Sequence, residues 1–239
     1  MWRALLILGL AARALFGQAG PQFEAASVKA SAGSGTDIRG GPGTADPGLF
    51  TCHNFPLSAL IARAYDLQSY QLAGPAWLDQ ARFDVTARVP AGAMAEQFRL
   101  MLQDLLARRF HLATHEERRE MRVWELTVGA GGAKLKERGE AGESGIGGSA
   151  DGGVTRRMAG WPVATMAAWF QTVVREPVLD ETGLTGRYDA TLHYFPEGDA
   201  SGPDFFQAIE RQLGLKLTRV RREMAVRVVD RVERAPVEN

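Results

Sequence analysis

The side chains able to do chemistry in this 239-residue chain are few: four histidines, one cysteine and a pair of adjacent acids. His111 and His115 are four apart, a spacing that holds a metal ion on a helix. Here they follow the end of a helical pattern, and four residues along a strand span roughly 13 Å, too far for two ligands of one ion. Cys52 lies beside His53, but neighbouring side chains of a strand point to opposite faces, so the pair reads as a buried structural thiol and a separate imidazole. Asp180-Glu181-Thr182-Gly183 could pair an acid with a base only if partners separated their pKa values. The glycines and threonines around it read instead as a turn in which Asp180 accepts backbone N–H bonds. No serine sits in a Gly-x-Ser-x-Gly elbow. The sequence thus assigns no catalytic residue, no metal ligand and no cofactor.

Contact chemistry is better represented. Trp77 follows Gly74-Pro75 in a loop and, with Tyr70 and Gln71, could form a recognition surface, since aromatic residues anchor interfaces. Asp180 and Thr182 are the polar candidates for a second part of it. Trp124 and Trp161 read as packing residues.

The elements that must position these side chains follow from periodicity. Leu57, Leu60, Ile61, Ala64 and Tyr65 recur at helical spacing, with Pro56 placed in the first turn, and Phe98, Met101, Leu102, Leu105 and Leu106 do the same. Runs 49–53, 70–73, 83–87, 110–112 and 121–128 read as strands. Val163, Met166, Ala167 and Phe170 mark a third helix and Phe206, Ile209 and Leu213 a fourth, among strands at 154–158, 177–179, 188–194, 215–217 and 224–232. Ser31 to Gly48 reads as a mobile glycine-rich loop after a strand at 23–28.

These two series are also the same words written twice. Phe55-Pro56-Leu57 returns as Trp161-Pro162-Val163, Arg82-Phe83-Asp84 as Arg187-Tyr188-Asp189, and Glu120-Met121 as Glu223-Met224, at offsets of 106, 105 and 103. Ordered matches at one period indicate an internal repeat. The expected fold is α+β, two similar modules at 49–136 and 154–234 of order strand, helix, strand, strand, helix, strand, strand. Ten of the 25 residues from Gly129 to Gly153 are glycine, and 137–153 is expected to be a flexible linker. Residues 20–48 form an N-terminal strand and loop, and 235–239 a tail.

A zero net charge with mixed signs excludes the basic face that a nucleic-acid binder needs. Met1-Trp2-Arg3, the apolar run Ala4 to Ala12 and Gly17-Gln18-Ala19 read as a secretory signal at 1–19. Its removal leaves 26 basic and 28 acidic side chains, a net charge of −2. No later run approaches the ~20 apolar residues of a membrane span.

The runs Phe50 to Leu57, Tyr70 to Leu78, Arg82 to Val85, Gln97 to Leu102, Leu105 to Phe110 and Val178 to Asp189 resemble the bacterial soil-associated family of exported proteins of unknown function. The resemblance covers nearly the whole mature chain and implies export; it carries no established activity. In some members of that family a similar domain is joined to a membrane metallopeptidase of the antibiotic-sensor type, which implies a sensory or binding role. The module order is also similar to the short N-terminal domains of secretins and TonB-dependent receptors, which contact other proteins through sheet edges. The sequence therefore points to a periplasmic or secreted, non-catalytic protein that binds a protein or envelope polymer. The alternative is an extracytoplasmic hydrolase or metalloenzyme with Asp180, Glu181, His111 and His193 brought together between the modules.

Overall fold

The computed structural model describes residues 20–237. The expected signal segment, 1–19, lies outside the described residues. The fold is α+β, and its contacts divide it into two compact units. One takes the described residues up to Glu116 together with those from Arg227 on; the other is Glu117–Val226.

In the first unit, strands β1 (Ala25–Ala30), β2 (Asp37–Gly40), β3 (Leu49–Pro56) and β5 (Arg82–Arg88) form an antiparallel sheet in the order β1-β5-β3-β2. Phe83, Val85 and Ala87 alternate inward along β5, the period-two pattern of a half-buried strand. Helices α1 (Leu57–Tyr65) and α2 (Ala95–Phe110) cover that face with Leu57, Leu60, Ile61, Phe98, Met101, Leu105 and Phe110, all nearly inaccessible to solvent. Each helix ends on a residue with positive φ, Asp66 and His111. A two-residue strand, β4 (Leu72–Ala73), runs parallel to the distal end of β12 (Leu215–Arg231).

In the second unit, β7 (Lys136–Glu137), β8 (Gly145–Gly148), β9 (Val154–Pro162) and β11 (Arg187–Tyr194) form a sheet of order β7-β11-β9-β8. Tyr188, Ala190 and Leu192 face inward against α3 (Val163–Val174) and α4 (Phe205–Ala208), which continues as a π-helical turn, Ile209–Leu213. Strand β10 (Val178–Asp180) runs parallel to the distal end of β6 (Ala113–Val128). Both β6 and β12 therefore begin in one unit and end in the other, and they are hydrogen-bonded to each other. The cross-strand pairs His115–Asp230 and Glu116–Arg227 in the first unit, and Glu120–Arg221 in the second, descend in the order of an antiparallel ladder.

Several expected elements change. Residues 110–112 are the end and cap of α2, and the run expected at 121–128 extends back to Ala113 as one 16-residue strand; 215–217 and 224–232 merge into a 17-residue strand. Charged residues between the apolar runs sit in the extended backbone, and Glu116 and Glu120 pair across the ladder with Arg227 and Arg221. Tyr70 and Gln71 lie in a single 3-10 turn, and Pro56 and Pro162 cap their helices one residue before the first turn. Residues 31–48 contain β2, and 137–153, expected to be a free linker, contain β8. That segment is pinned by backbone hydrogen bonds from Arg138 N to Arg187 O, Gly142 N to Ala159 O and Ser149 N to Gly153 O. Glycine there serves close approach: a Cβ on Gly153 would lie 2.5 Å from the His193 ring.

Candidate functional site: an aromatic groove in the second unit

A recess of about 730 Å³ lies wholly in the second unit, within the range of small-ligand sites. Its construction starts at β6. Pairing of Val178 with Trp124, and a 2.8 Å bond from Trp124 N to Pro177 O, fix the indole beside the turn that follows α3. That turn opens with Arg175 at positive φ, which ends the helix and delivers Glu176 to the indole. Trp124 Nε1 donates to Glu176 Oε2 at 2.9 Å, and Arg219 on β12 donates to Glu176 Oε1. The Arg219 guanidinium lies 5.7 Å from the centre of the Trp124 ring, so cation–π attraction adds to the ion pair. The hydrogen bond from Arg219 holds the Glu176 carboxyl below its ordinary range, with Trp124 contributing in the same direction. Glu176 is thereby an ionised acceptor at neutral pH and a poor proton donor.

The opposite wall comes from α4. Asp204 caps it, accepting from Gln207 N at 2.8 Å, and the cap sets the direction of the two phenylalanines that follow. Phe205 is buried and packs edge-on against Phe170 and Tyr194, at 5.6 and 5.1 Å between ring centres. Phe206 turns outward, 42% exposed, with its ring 4.8 Å from Trp124. Burial raises the pKa of Tyr194 on the groove wall. The result is an apolar, aromatic recess with charges fixed at its rim, suited to holding a flat or apolar group while polar groups set its orientation.

The residues singled out from the sequence lie elsewhere. Tyr70, Gln71 and Trp77 are in the first unit. Gln71 accepts from Gln68 N at 3.0 Å, and Trp77 packs on the core beneath Arg234, 5.1 Å from its ring centre. A recess of about 510 Å³ adjoins them, lined by Arg63, Asp66, Ser69, Leu72 and Asp79, but none of the three lines it. Asp180 and Thr182 come together in the second unit as a turn: Asp180 Oδ1 accepts from Thr182 N and Oγ1 at 3.1 and 2.7 Å.

Of the four residues of the enzyme alternative, His111, His193 and Asp180 hold separate partners. His111 is 3.0 Å from Glu233, whose carboxyl is lowered chiefly by that hydrogen bond. His193 Nε2 lies 3.1 Å from Asp151, and its Nδ1 is 2.9 Å from Thr155 Oγ1 and 3.5 Å from Ser149 Oγ. Among the described residues no three or more His, Cys, Asp or Glu side chains gather as a metal set, and no helix is long and apolar enough to cross a membrane.

Sequence reasoning missed Trp124 and Phe206 as site residues because both sit in apolar runs that also suit a core. The available signal was the Phe205-Phe206 pair after a capping aspartate: a helix this short can bury one and must expose the other. Comparison with curated proteins and with solved structures finds no match in either. Residues 58–232, more than half of the sequence, match the family described as Protein of unknown function (DUF3738), and the chain belongs to that family.

Proposed function

We propose that the protein is an exported, non-catalytic binding protein built from two copies of one module, and that the groove of the second unit is where it holds its ligand. The observation that carries the reading is the part-exposed Phe206–Trp124 pair, kept in place by a Glu176–Arg219 network of hydrogen bonds within the protein. Preorganised aromatic surface binds at low entropic cost. Export rests on the signal-like start and on the likeness to the soil-associated family. The repeat is supported by the two strand orders, which correspond when β1, β5, β3 and β2 are set against β7, β11, β9 and β8. The likeness to secretin-type modules favours a protein or envelope polymer as the ligand.

The test is a titration of the purified chain with envelope-derived peptides and with cell-wall saccharide fragments, followed by tryptophan fluorescence. Saturable binding should weaken about tenfold or more in Phe206→Ser, the loss typical of an interface anchor, with little change in melting. Absence of saturable binding, or binding indifferent to Phe206 and Arg219, contradicts the proposal.

A second reading is favoured by one observation, the hydroxyl–imidazole–carboxylate series formed by Thr155 or Ser149 with His193 and Asp151. That order can activate a hydroxyl for acyl transfer. It ranks below the groove because the nearer hydroxyl is the threonine and the serine stands at 3.5 Å. Ester turnover abolished by His193→Ala in a still-folded protein would promote it.

A further inference from the structure

We propose that the outer edge of β8 is a docking site at which an extended, acidic peptide segment of a partner protein adds as a strand, with a carboxylate placed on Arg156. Two independent observations meet there. The first concerns the edge. Ser149 N donates to Gly153 O at 2.8 Å, closing the hairpin between β8 and β9, and the register continues as Gly148 opposite Val154 and Gly147 opposite Thr155. Hydrogen-bonded and non-hydrogen-bonded pairs alternate along an antiparallel ladder. Gly147 and Gly145 therefore bond inward to β9, and Ile146 and Gly148 turn their N–H and C=O groups away from the sheet. All four β8 residues are exposed, Ile146 at 58%. The strand carries no charge and no proline, the usual guards of an edge.

Two other margins are guarded. Edge strand β2 carries the ion pair Arg39–Asp37. The outer side of β11 is covered at Asp189 by β7, and at His193 by Gln212, whose side chain both accepts from His193 N and donates to His193 O. An uncharged, glycine-rich edge is left as the one at which an incoming backbone meets no side-chain obstacle in this sheet.

The second observation supplies the partner's charge. Ile146 pairs with Arg156 in a non-hydrogen-bonded position, where facing side chains share one face of the sheet. The Arg156 guanidinium lies 4.7 Å from the Trp161 ring centre and 5.3 Å from that of Trp169. Its Nε is buried without a hydrogen-bond partner. A strand laid along β8 brings one of its side chains to this face, beside Ile146 and two strand spacings, about 9.6 Å of backbone, from Arg156, a span that the long side chains of Arg and Glu can bridge over Ile146. Strand addition then supplies affinity through the backbone, and Arg156 supplies selectivity for Asp or Glu.

The experiment uses the full chain and a set of eight-residue peptides alternating valine and threonine, with one central residue varied among Glu, Gln and Lys, and a version of the Glu peptide N-methylated at alternate residues. Binding should follow Glu over Gln over Lys, with about tenfold between the first two, as for a charge-assisted hydrogen bond. N-methylation should abolish it, and the amides of Ile146 and Gly148 should gain protection from hydrogen exchange on binding. Gly148→Pro, which removes an outward N–H, should weaken binding. Arg156→Gln should equalise the Glu and Gln peptides, and Ile146→Asp provides a surface variant that repels the acidic peptide should Arg156→Gln fail to fold. Phe206→Ser should leave binding of these peptides unchanged, which separates this edge from the groove. No binding by the Glu peptide, equal binding of the Glu and Lys peptides, or binding that survives N-methylation overturns the proposal.

Discussion

Cys52 illustrates how burial decides chemistry at the scale of one residue. Loss of solvation pushes its thiol up to about 11, against a smaller lowering by the hydrogen bond from Val85, and the side chain is fully covered. At pH 8 the native protein should therefore give no reaction with a thiol-specific disulfide reagent, and one equivalent should react after denaturation; rapid labelling of the folded state would refute this. Leu60 and Leu105 are 1% and 2% exposed in the first core, so replacement of either by alanine should cost roughly 2 to 5 kcal/mol in a denaturant titration. Glu176 gives a pH signature. Its folded pKa lies below its ordinary 4.5, so its ionisation contributes stability above that value, and the contribution is lost as pH falls through the lowered folded pKa. Wild type should melt above Glu176→Gln at neutral pH, and the gap should close below pH 4.5; a gap independent of pH would mean that charge is not what Glu176 supplies.

Elements were legible in the sequence where burial is periodic. Leu57 to Tyr65 and Phe98 to Leu106 form helices in the expected places, and Phe83 to Ala87 the expected strand, because one face of each must leave water. Two kinds of element were not legible. Long strands with charged middles look like interrupted elements, since Glu116 to Glu120 has no apolar alternation, and Glu116 and Glu120 find their partners in arginines about a hundred residues away. Glycine-rich segments look free, since the atoms that require glycine are remote in sequence. Gly160 shows the second case: at φ +64, a Cβ there would lie 2.0 Å from Glu140 O. Gly160→Ala should accordingly destabilise the second unit by about 1 to 3 kcal/mol, the cost of a side chain held in the left-handed region, measured by thermal melting. A neutral result would show that 140–142 yields easily. The groove was illegible for a related reason, as Trp124, Glu176, Phe206 and Arg219 come from four separated stretches and meet only when β6 and β12 are in register.

At the scale of the whole molecule, the first unit takes the end of β12 from the far half of the chain, and the second is the continuous stretch Glu117–Val226. The family match, 58–232, runs through both units and through both crossing strands. On the proposed repeat, the closing strand of each copy finishes beside a short parallel strand of the other, β6 with β10 and β12 with β4. The first unit sets Arg227 of β12 over Tyr65, and the second sets Trp124 of β6 against Phe206 and Arg219. Binding in the proposed groove of the second unit can be followed by nuclear magnetic resonance. The indole N–H of Trp124, bonded to Glu176, is to be followed as solubilised envelope material is added to the labelled protein. Saturable shifts are expected in that resonance and in the ring of Phe206, with the Trp124 shift lost in Phe206→Ser. Shifts confined to His193 and Ser149, accompanied by turnover of the added material, or no shifts at all, would contradict binding in the groove.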